Sequence, residues 1–297
     1  MAQEVTRIKK RIKSVSASYK ITSAMKLVST VKLKKWKNKM LANKEYALRI
    51  DEIAKTVFSH IEKSHNPYFL EKKADKNLYI VLSSSLGLCG AFNNNIFRLA
   101  DSKIKEADDA ILLGNKAISH YQDGAFHHIE TFKDYSSVSE TKIIDQIIDY
   151  IKNEYLKGTY QEIHIIYTSY KNSLVFHPVD YTLLPLKMEK DNSEPYPPIM
   201  EPNQEALIDV LVPIYLKNSV YAKFLESEVC EQAARSNAME NATKNAEELL
   251  DDLQIEFNKA RQGAITQEIT EIVGASPLEL RMVPPLSIVP QREPLLL

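Results

Sequence analysis

The sequence predicts an α/β protein in which the N- and C-terminal helices form a long antiparallel coiled coil attached to an α/β domain with a mostly parallel sheet. Three observations predict it: heptad-spaced apolar residues at both ends of the chain, scarce glycine and proline there, and short apolar strands alternating with helices between them. We expect a coiled-coil helix at 1–62, an α/β domain at 63–202, a second coiled-coil helix at 203–275 and a proline-rich tail at 276–297.

The N-terminal helix carries the first heptad pattern. Apolar side chains recur at steps of three and four residues, and no glycine or proline occurs before Pro67. Beyond Tyr19 the apolar stripe drifts, and we expect the drifting residues to continue the seam. The predicted seam residues are Val5, Ile8, Ile12, Val15, Tyr19, Ile21, Met25, Val28, Val31, Trp36 and Met40.

The middle of the chain alternates strands with helices. Continuous apolar runs at Leu78–Ser83, Ala110–Leu113 and Glu162–Ser169 are typical of buried parallel strands. Val175–Leu186 follows as a hairpin partner, and Phe126–Phe132 is an ambiguous segment that fits an edge strand. This order is typical of a Rossmann-like α/β layer domain. The predicted helices span about 91–105, 115–122 and 138–155.

The C-terminal helix is the longest predicted element. No proline occurs between Ile214 and Ala275, and small or apolar residues form a seam of two per heptad. At 1.5 Å per residue, some 60 helical residues would extend roughly 90 Å. A seam of two residues per heptad must be buried against a partner helix. The N-terminal helix is similar in length to the C-terminal one, so we expect it to be that partner. We expect the acidic residues of this helix, Glu231 among them, to form its solvated face. The predicted seam is Ala242, Ala246, Leu249, Leu253, Phe257, Ala260, Ala264, Ile265, Ile269 and Ile272.

The net charge of −1 conceals a strong asymmetry. The first 44 residues hold thirteen Lys or Arg and one acid. Such a basic helix fits either the solvated face of a coiled coil or an acidic protein partner. This segment has few interleaved aromatic residues and no recognised nucleic-acid-binding motif, which argues against a nucleic-acid partner. Two cysteines, no secretory signal and no apolar run of 18 residues favour a reduced compartment and no transmembrane segment.

The sequence predicts no catalytic residue, no cofactor and no metal site. The turn Gly87–Asn93 lies between a strand and a helix, where α/β proteins bind phosphates, but it lacks the G-x-G-x-x-G spacing. Cys89 in this turn could act as a nucleophile, since a helix N-terminus lowers a thiol pKa. No His or acid is tied to it, so we expect a buried thiol. The histidines lack metal-ligand spacing, and His164 is expected to be a satisfied core residue.

Several sequence blocks resemble the gamma subunit of the rotary F-type ATP synthase. They occur in that family's order and cover nearly the whole chain up to about Ala275. Ser85-Leu86 stand where the family usually has an Asp-Arg pair, which puts any ion-pair role of that turn in doubt. The tail after Gly274 is also longer than in most members. The matching blocks are Arg11–Val15, Lys20–Val28, Gly87–Gly90 with Asn93, Glu231–Arg235 and Ala260–Gly274.

The resemblance implies a non-catalytic rotor shaft. Its helices would turn inside a ring of three alpha and three beta subunits, and its middle domain would sit at the foot with epsilon and the membrane c-ring. Proton or sodium flow would drive the rotation that changes the nucleotide affinity of each beta site. The chain would then be peripheral to the cytoplasmic face of a bacterial inner membrane, or to the matrix or stroma side in an organelle.

The resemblance also suggests contact residues. Candidate c-ring contacts are Tyr196 and Glu201, and Met25 is either a ring contact or a seam residue. Two alternatives stay open: a coiled-coil scaffold whose α/β domain binds a small ligand, and an α/β enzyme that uses Cys89. The candidate contacts with the alpha-beta ring are Met25, Lys26, Arg261, Gln262, Thr266, Gln267, Glu268 and Glu271.

Overall fold

A computed structural model describes residues 2–60, 66–124, 126–132, 140–186 and 198–275. Two long helices, α1 (Ala2–Ser59) and α5 (Gln204–Ala275), flank an α/β region, as the sequence predicts. The predicted tail lies outside the described residues. The elements between the long helices are β1 (Leu78–Leu82), α2 (Phe92–Lys103), β2 (Asp109–Leu113), α3 (Asn115–His120), β3 (His127–Phe132), α4 (Glu140–Lys157), β4 (Ile163–Tyr170) and β5 (Phe176–Leu184).

The chain forms two compact units. Among the described residues, the larger unit lies within 20–244, and the smaller consists of 2–19 and 245–275. The boundaries fall inside the two long helices rather than at their ends.

The sheet of the larger unit has the order β3-β2-β1-β4-β5. Its first four strands are parallel, and β5 pairs antiparallel with β4 through a short hairpin. The mostly parallel sheet, the hairpin and the edge position of β3 are therefore confirmed. Since parallel neighbours need crossover connections, helices α2, α3 and α4 follow from this strand order.

Two apolar layers cover the sheet because strand side chains alternate between its faces. Leu78, Ile80 and Leu82 of β1 pack in a cluster with the isoleucines of α4 and with buried residues of α1 and α5. Tyr79 and Val81 face the other way, into a cluster with α2 and α3. Helix α5 contributes to both clusters, so it is part of the core of the α/β region.

The long helices of the larger unit run antiparallel. Going up α1, the partner residue on α5 moves steadily towards lower numbers, which only an antiparallel pair can produce. The contacts are hydroxyl pairs, one ion pair and one edge-to-face aromatic pair. They join Thr22 to Thr243 (2.9 Å), Lys26 to Glu240 (3.3 Å), Thr30 to Ser236 (3.2 Å), and the ring centroids of Trp36 and Phe224 (6.0 Å).

The predicted drift of the α1 seam is wrong at Ile21, Val28 and Val31 and right at Trp36 and Met40, which pack against the core. Ile21, Val28 and Val31 are each more than half exposed, whereas Ser29 is only 2% exposed. The steps of three and four residues continue unbroken, so polar side chains occupy the seam where the apolar residues drift away. Two of these polar positions pair with α5: the Thr22 hydroxyl with that of Thr243 and Lys26 with Glu240. The least exposed positions follow Thr22, Lys26, Ser29, Leu33, Trp36, Met40, Asn43, Ala47, Ile50, Ala54 and Val57.

The smaller unit contains the start of α1 and the end of α5. Ile8 is 3% and Leu253 is 2% exposed, so the two helix segments bury a common seam. The predicted α5 seam is confirmed up to Ala264, which is half-buried. Beyond it the prediction is wrong, because every described residue from Ile265 to Gly274 is exposed. The physical reason is that no described segment of the chain packs over these turns of α5.

Candidate interface surfaces

Six predicted contact residues lie in the last turns of α5, in the smaller unit, and all six are exposed. Their hydrogen bonds are local: Gln267 Nε2 donates to Glu271 Oε1 at 2.8 Å, and the Thr266 hydroxyl donates to a carbonyl one turn earlier. Their polar groups therefore face solvent, where a partner can reach them. The six are Arg261, Gln262, Thr266, Gln267, Glu268 and Glu271.

An exposed isoleucine stripe runs along the same turns. Ile265, Ile269 and Ile272 are 47%, 56% and 72% exposed. With 3.6 residues per turn, the three fall within an arc of about 60°. Arg261 and Gln262 lie at its two margins. Sequence reasoning missed this stripe as a surface because it placed these isoleucines in the seam. The available signal in the sequence was the shift of one position from Ala264 to Ile265, which takes the isoleucines out of the heptad register of the seam.

Met25 and Lys26 lie in the larger unit, on α1. Lys26 Nζ is 3.3 Å from Glu240 Oε1, and both side chains are 41% exposed. The ion pair therefore leaves part of the ammonium group accessible. Met25 is half-buried beside the seam, a position compatible with both roles that the sequence leaves open.

The outer face of α1 is apolar next to these two residues. We use the term α1 outer face for Ile21, Leu27, Val28 and Val31, each more than half exposed. With 3.6 residues per turn, the four fall within an arc of about 120° on one side of the helix. A contiguous apolar side on a soluble helix commonly marks an interaction surface. Sequence reasoning assigned three of the four to the seam and so missed this face.

The candidate foot contacts are only partly described. Tyr196 lies outside the described residues. Glu201 is exposed, just before α5 begins, and the nearby Ile199 is 92% exposed. The described part of this segment therefore presents both a carboxylate and an apolar side chain to solvent.

A buried ion pair of α5 holds the turn after β1. Arg235 Nη1 lies 2.7 Å from Glu231 Oε1, and its other nitrogens donate to the carbonyls of Leu86 (2.7 Å) and Gly87 (3.2 Å). Burial raises the pKa of Glu231, although Arg235 opposes this. The expectation that Glu231 is solvated is wrong, because it is 6% exposed. Because the turn has Ser85 and Leu86 in place of a charged pair, the charged group at this turn is Arg235 of α5, which binds backbone carbonyls. The i,i+4 spacing of Glu231 and Arg235 is the sequence feature that could have predicted this ion pair.

The same turn buries Cys89. Its thiol is 2% exposed and accepts a hydrogen bond from Asn93 Nδ2 at 3.2 Å. Burial raises the pKa of this thiol, which disfavours the reactive thiolate. The geometry therefore supports the buried-thiol interpretation over a nucleophile.

His164 is a satisfied core histidine, as predicted. Its ring nitrogens lie 2.9 Å from Asp180 Oδ1 and 3.1 Å from Glu162 Oε2, and the ring stacks on Tyr79 at 4.8 Å. Within the described parts of the chain, no three His, Cys, Asp or Glu side chains converge on a possible metal position. None of the described helices is both long and apolar enough to span a bilayer.

Sequence comparison finds close relatives along nearly the whole chain. A family model described as ATP synthase matches residues 4–277. The ATP synthase gamma chain of Clostridium acetobutylicum is 36% identical over 275 residues, covering 91% of this chain and 96% of the relative. The ATP synthase gamma chain of Mycoplasmopsis pulmonis is 37% identical over 271 residues, covering 90% and 97%.

Comparison with solved structures shows the same fold. A chain in the cryo-EM structure of the Euglena gracilis mitochondrial ATP synthase (OSCP/F1/c-ring, rotational state 3) aligns with a TM-score of 0.67 at 17% identity, covering 92% of this chain and 94% of that one. A chain of the rotor of the same enzyme in rotational state 1 aligns with a TM-score of 0.62 at 17% identity, covering 89% and 100%.

Proposed function

This chain belongs to the ATP synthase gamma-chain family, and on that premise we propose that it is the non-catalytic rotor shaft of an F-type ATP synthase. It couples proton- or sodium-driven rotation of a c-ring to ATP synthesis in a ring of three alpha and three beta subunits. Its asymmetric face sets the nucleotide affinity of each beta site. Its partners are alpha, beta, epsilon and the c-ring, with no cofactor and no nucleic acid.

The observation that carries this proposal is the antiparallel helix pair built into a domain core. Trp36 of α1 packs edge-on against Phe224 of α5, and Phe224 belongs to the cluster that covers the sheet. About three turns further along α5, the buried Arg235 binds the turn after β1. Torque applied to the α/β region therefore reaches both helices through tightly packed side chains, which interiors transmit well.

The proposed ring contacts are the exposed polar residues of α5, Arg261 to Glu271, together with Met25 and Lys26. We add the isoleucine stripe, because an uncovered apolar surface gains free energy when a partner removes it from water. Polar residues at its margins supply orientation, as the rim of an interface does. The charge of Lys26 suits an acidic beta surface and makes that contact sensitive to salt.

The proposed c-ring contacts are Tyr196 and Glu201. Foot contacts with the c-ring would make the chain a peripheral membrane protein. We place it on the cytoplasmic face of a bacterial inner membrane, or on the matrix or stroma side if the source is an organelle.

The test is reconstitution with cognate alpha and beta subunits. The full chain is mixed with them, the assembly is sized, and ATP hydrolysis is measured with and without the chain. We expect a complex with three alpha, three beta and one copy of this chain, and hydrolysis that depends on it. A stable active complex that excludes the chain would contradict the proposal. Cys89→Ser tests the enzyme alternative, since an enzyme that uses this thiol would lose its activity, whereas a shaft needs no thiol.

A further inference from the structure

Strand β5 is joined to the sheet through an irregular ladder. Among the described strands it pairs only with β4, and the register of that pairing shifts between Ile163 and His164. A bulge of this kind disrupts the ladder locally. At this point polar side chains of β4 and β5 meet around His164, which is 7% exposed. Side-chain contacts of His164 can therefore reinforce the ladder where it is irregular.

Both ring nitrogens of His164 face carboxylate oxygens. Nδ1 lies 2.9 Å from Asp180 Oδ1 of β5, and Nε2 lies 3.1 Å from Oε2 of Glu162, the residue before β4. A neutral imidazole has one N–H group and one bare nitrogen, so it donates only one of these bonds and sets its lone pair against the other carboxylate. An imidazolium donates both, and hydrogen bonds between ionised partners are the strong ones.

The carboxyl group of Asp180 is ionised in this arrangement. Burial by itself would raise its pKa, but the hydrogen bond and charge of His164 and the nearby Lys103 hold the pKa of this carboxyl below its usual value. Its second oxygen, Oδ2, lies 3.7 Å from Lys103 Nζ. The proton between Asp180 and His164 therefore belongs on the imidazole ring.

The elements packed around His164 favour a positive charge there. Tyr79 of β1 stacks on the imidazole with 4.8 Å between ring centroids, and an aromatic face attracts a cation. Burial raises the pKa of Tyr79 to about 12, and three nearby carboxylates add to this rise, as a negative local field does. Lys103 of α2 opposes the charge on His164. The three carboxylates are Asp108, Asp180 and Glu162.

We infer that His164 is an imidazolium at neutral pH and acts as an ionic clamp that fastens edge strand β5 to β4 across the bulge. The clamp is complete only while the ring keeps both protons. When the pH rises and the ring loses one, a lone pair replaces one of the two donors, and the attachment of β5 loosens. On the acid side, the bond to Asp180 survives below pH 3.8, the ordinary value for this carboxyl, because its pKa is lowered. This inference does not depend on the rotor function.

The first experiment reads the protonation state of His164 in the full chain. Histidine labelled with ¹⁵N is incorporated, and the ring nitrogens are observed by NMR at pH 7.5. The signals are assigned with His164→Gln or, if this variant fails to fold, through the proximity of the ring to Tyr79. An imidazolium has two protonated nitrogens, whereas a neutral ring has one protonated and one bare nitrogen. We expect the imidazolium pattern, although a free histidine is mostly neutral at this pH. The neutral pattern would overturn the inference.

The second experiment measures the clamp by amide hydrogen exchange, while the pH is raised until the ¹⁵N signals show that His164 has lost a proton. Protection of the β5 amides, corrected for the intrinsic pH dependence of exchange, should fall about tenfold, the effect of one charge-assisted hydrogen bond. In His164→Gln this protection should be low already at pH 7.5 and should stay flat over the same range.

His177→Gln is the matched control for the second experiment. His177 is an exposed histidine of the same strand, so this variant should lose protection with rising pH as the wild type does. Wild-type protection that stays constant while His164 loses its proton, or full protection in folded His164→Gln, would overturn the clamp.

Discussion

Helix α5 differs sharply between its two ends. In the larger unit, Val229 and Cys230 are fully buried and even Arg235 is 4% exposed, because the helix passes through the core of the α/β region. In the smaller unit, all described residues from Ile265 to Gly274 are exposed, isoleucines included. Burial at the first end holds the fold together. At the second end the described residues leave apolar surface uncovered, and a partner that removes it from water would gain free energy.

The largest effect is expected from Arg235→Met at the buried end. It strands the Glu231 carboxylate without its 2.7 Å partner, and removing one member of a buried pair costs about 3–5 kcal/mol of unfolding free energy. Urea denaturation measures the loss. Arg49→Met is the matched control, because its pair with Glu52 is exposed and should be worth less than about 1 kcal/mol. Similar losses in the two variants would contradict the account of the buried turn.

Two aliphatic residues of α5, one buried and one exposed, allow the two ends of the helix to be compared directly. Leu225 is fully buried, so Leu225→Ala should cost about 2–5 kcal/mol. Ile269 is 56% exposed, so Ile269→Ala should stay within about 0.5 kcal/mol. Both values come from the same denaturation experiment on the isolated chain. A large loss in Ile269→Ala would mean that the chain itself covers the stripe.

The pH dependence of the unfolding free energy tests the burial of Lys223, which lies in the buried part of α5. Its ammonium lies 3.7 Å from the centre of the Tyr181 ring and 3.0 Å from Ser219 Oγ, and burial lowers its pKa to about 8. Asp51 and Glu226 are the acidic groups that favour its charge. Since the unfolded chain keeps the ordinary value of 10.5, it binds more protons between these two values. The contribution of Lys223 to stability therefore rises with pH in that window.

The measurement is the unfolding free energy of the wild-type chain minus that of Lys223→Met, at pH 7.5 and at pH 10. We expect this difference to rise by up to about 3 kcal/mol. Taking the difference removes the titration of the groups that do not interact with Lys223. A difference that stays flat or falls would show that Lys223 is not buried as described.

The smallest effect on stability, and the clearest on assembly, is expected at the isoleucine stripe. Ile269→Ser should leave the unfolding free energy within about 0.5 kcal/mol, but weaken binding to alpha and beta subunits by about tenfold, because the lost apolar contact is made only in the complex. Val210→Ser is the control, since Val210 is 61% exposed on the same helix but lies in the larger unit. Equal weakening by both would remove the stripe from the proposed interface.

Local patterns in the sequence predicted most of the fold. Apolar runs such as those at β1 and β4 marked the buried strands, because parallel strands covered on both faces have no polar side. The heptads of α1 and α5 predicted their pairing. Both results depend on short-range spacing, which the sequence displays directly.

The failures came from tertiary context. Ser29 is buried and Ile21 is exposed, because the position of a residue on the continuous helix, rather than the polarity of its side chain, decides whether it faces α5. Glu231 is buried because Arg235 pairs with it, which no single-residue rule detects. The α5 seam ends at Ala264 because no described segment of the chain packs over the turns beyond it, which the local spacing does not reveal. The contact surfaces were predicted from resemblance, and the chain alone shows only that most of those residues are accessible.

Amide hydrogen exchange along α5, measured for the free chain and for its complex with alpha and beta subunits, tests the central claim most directly. Burial predicts slow exchange around Val229 in both states. Around Ile269, we predict fast exchange in the free chain and strong protection in the complex. Equal exchange around Ile269 in the two states would contradict the claim that one end of α5 is the core of a domain and the other a contact surface.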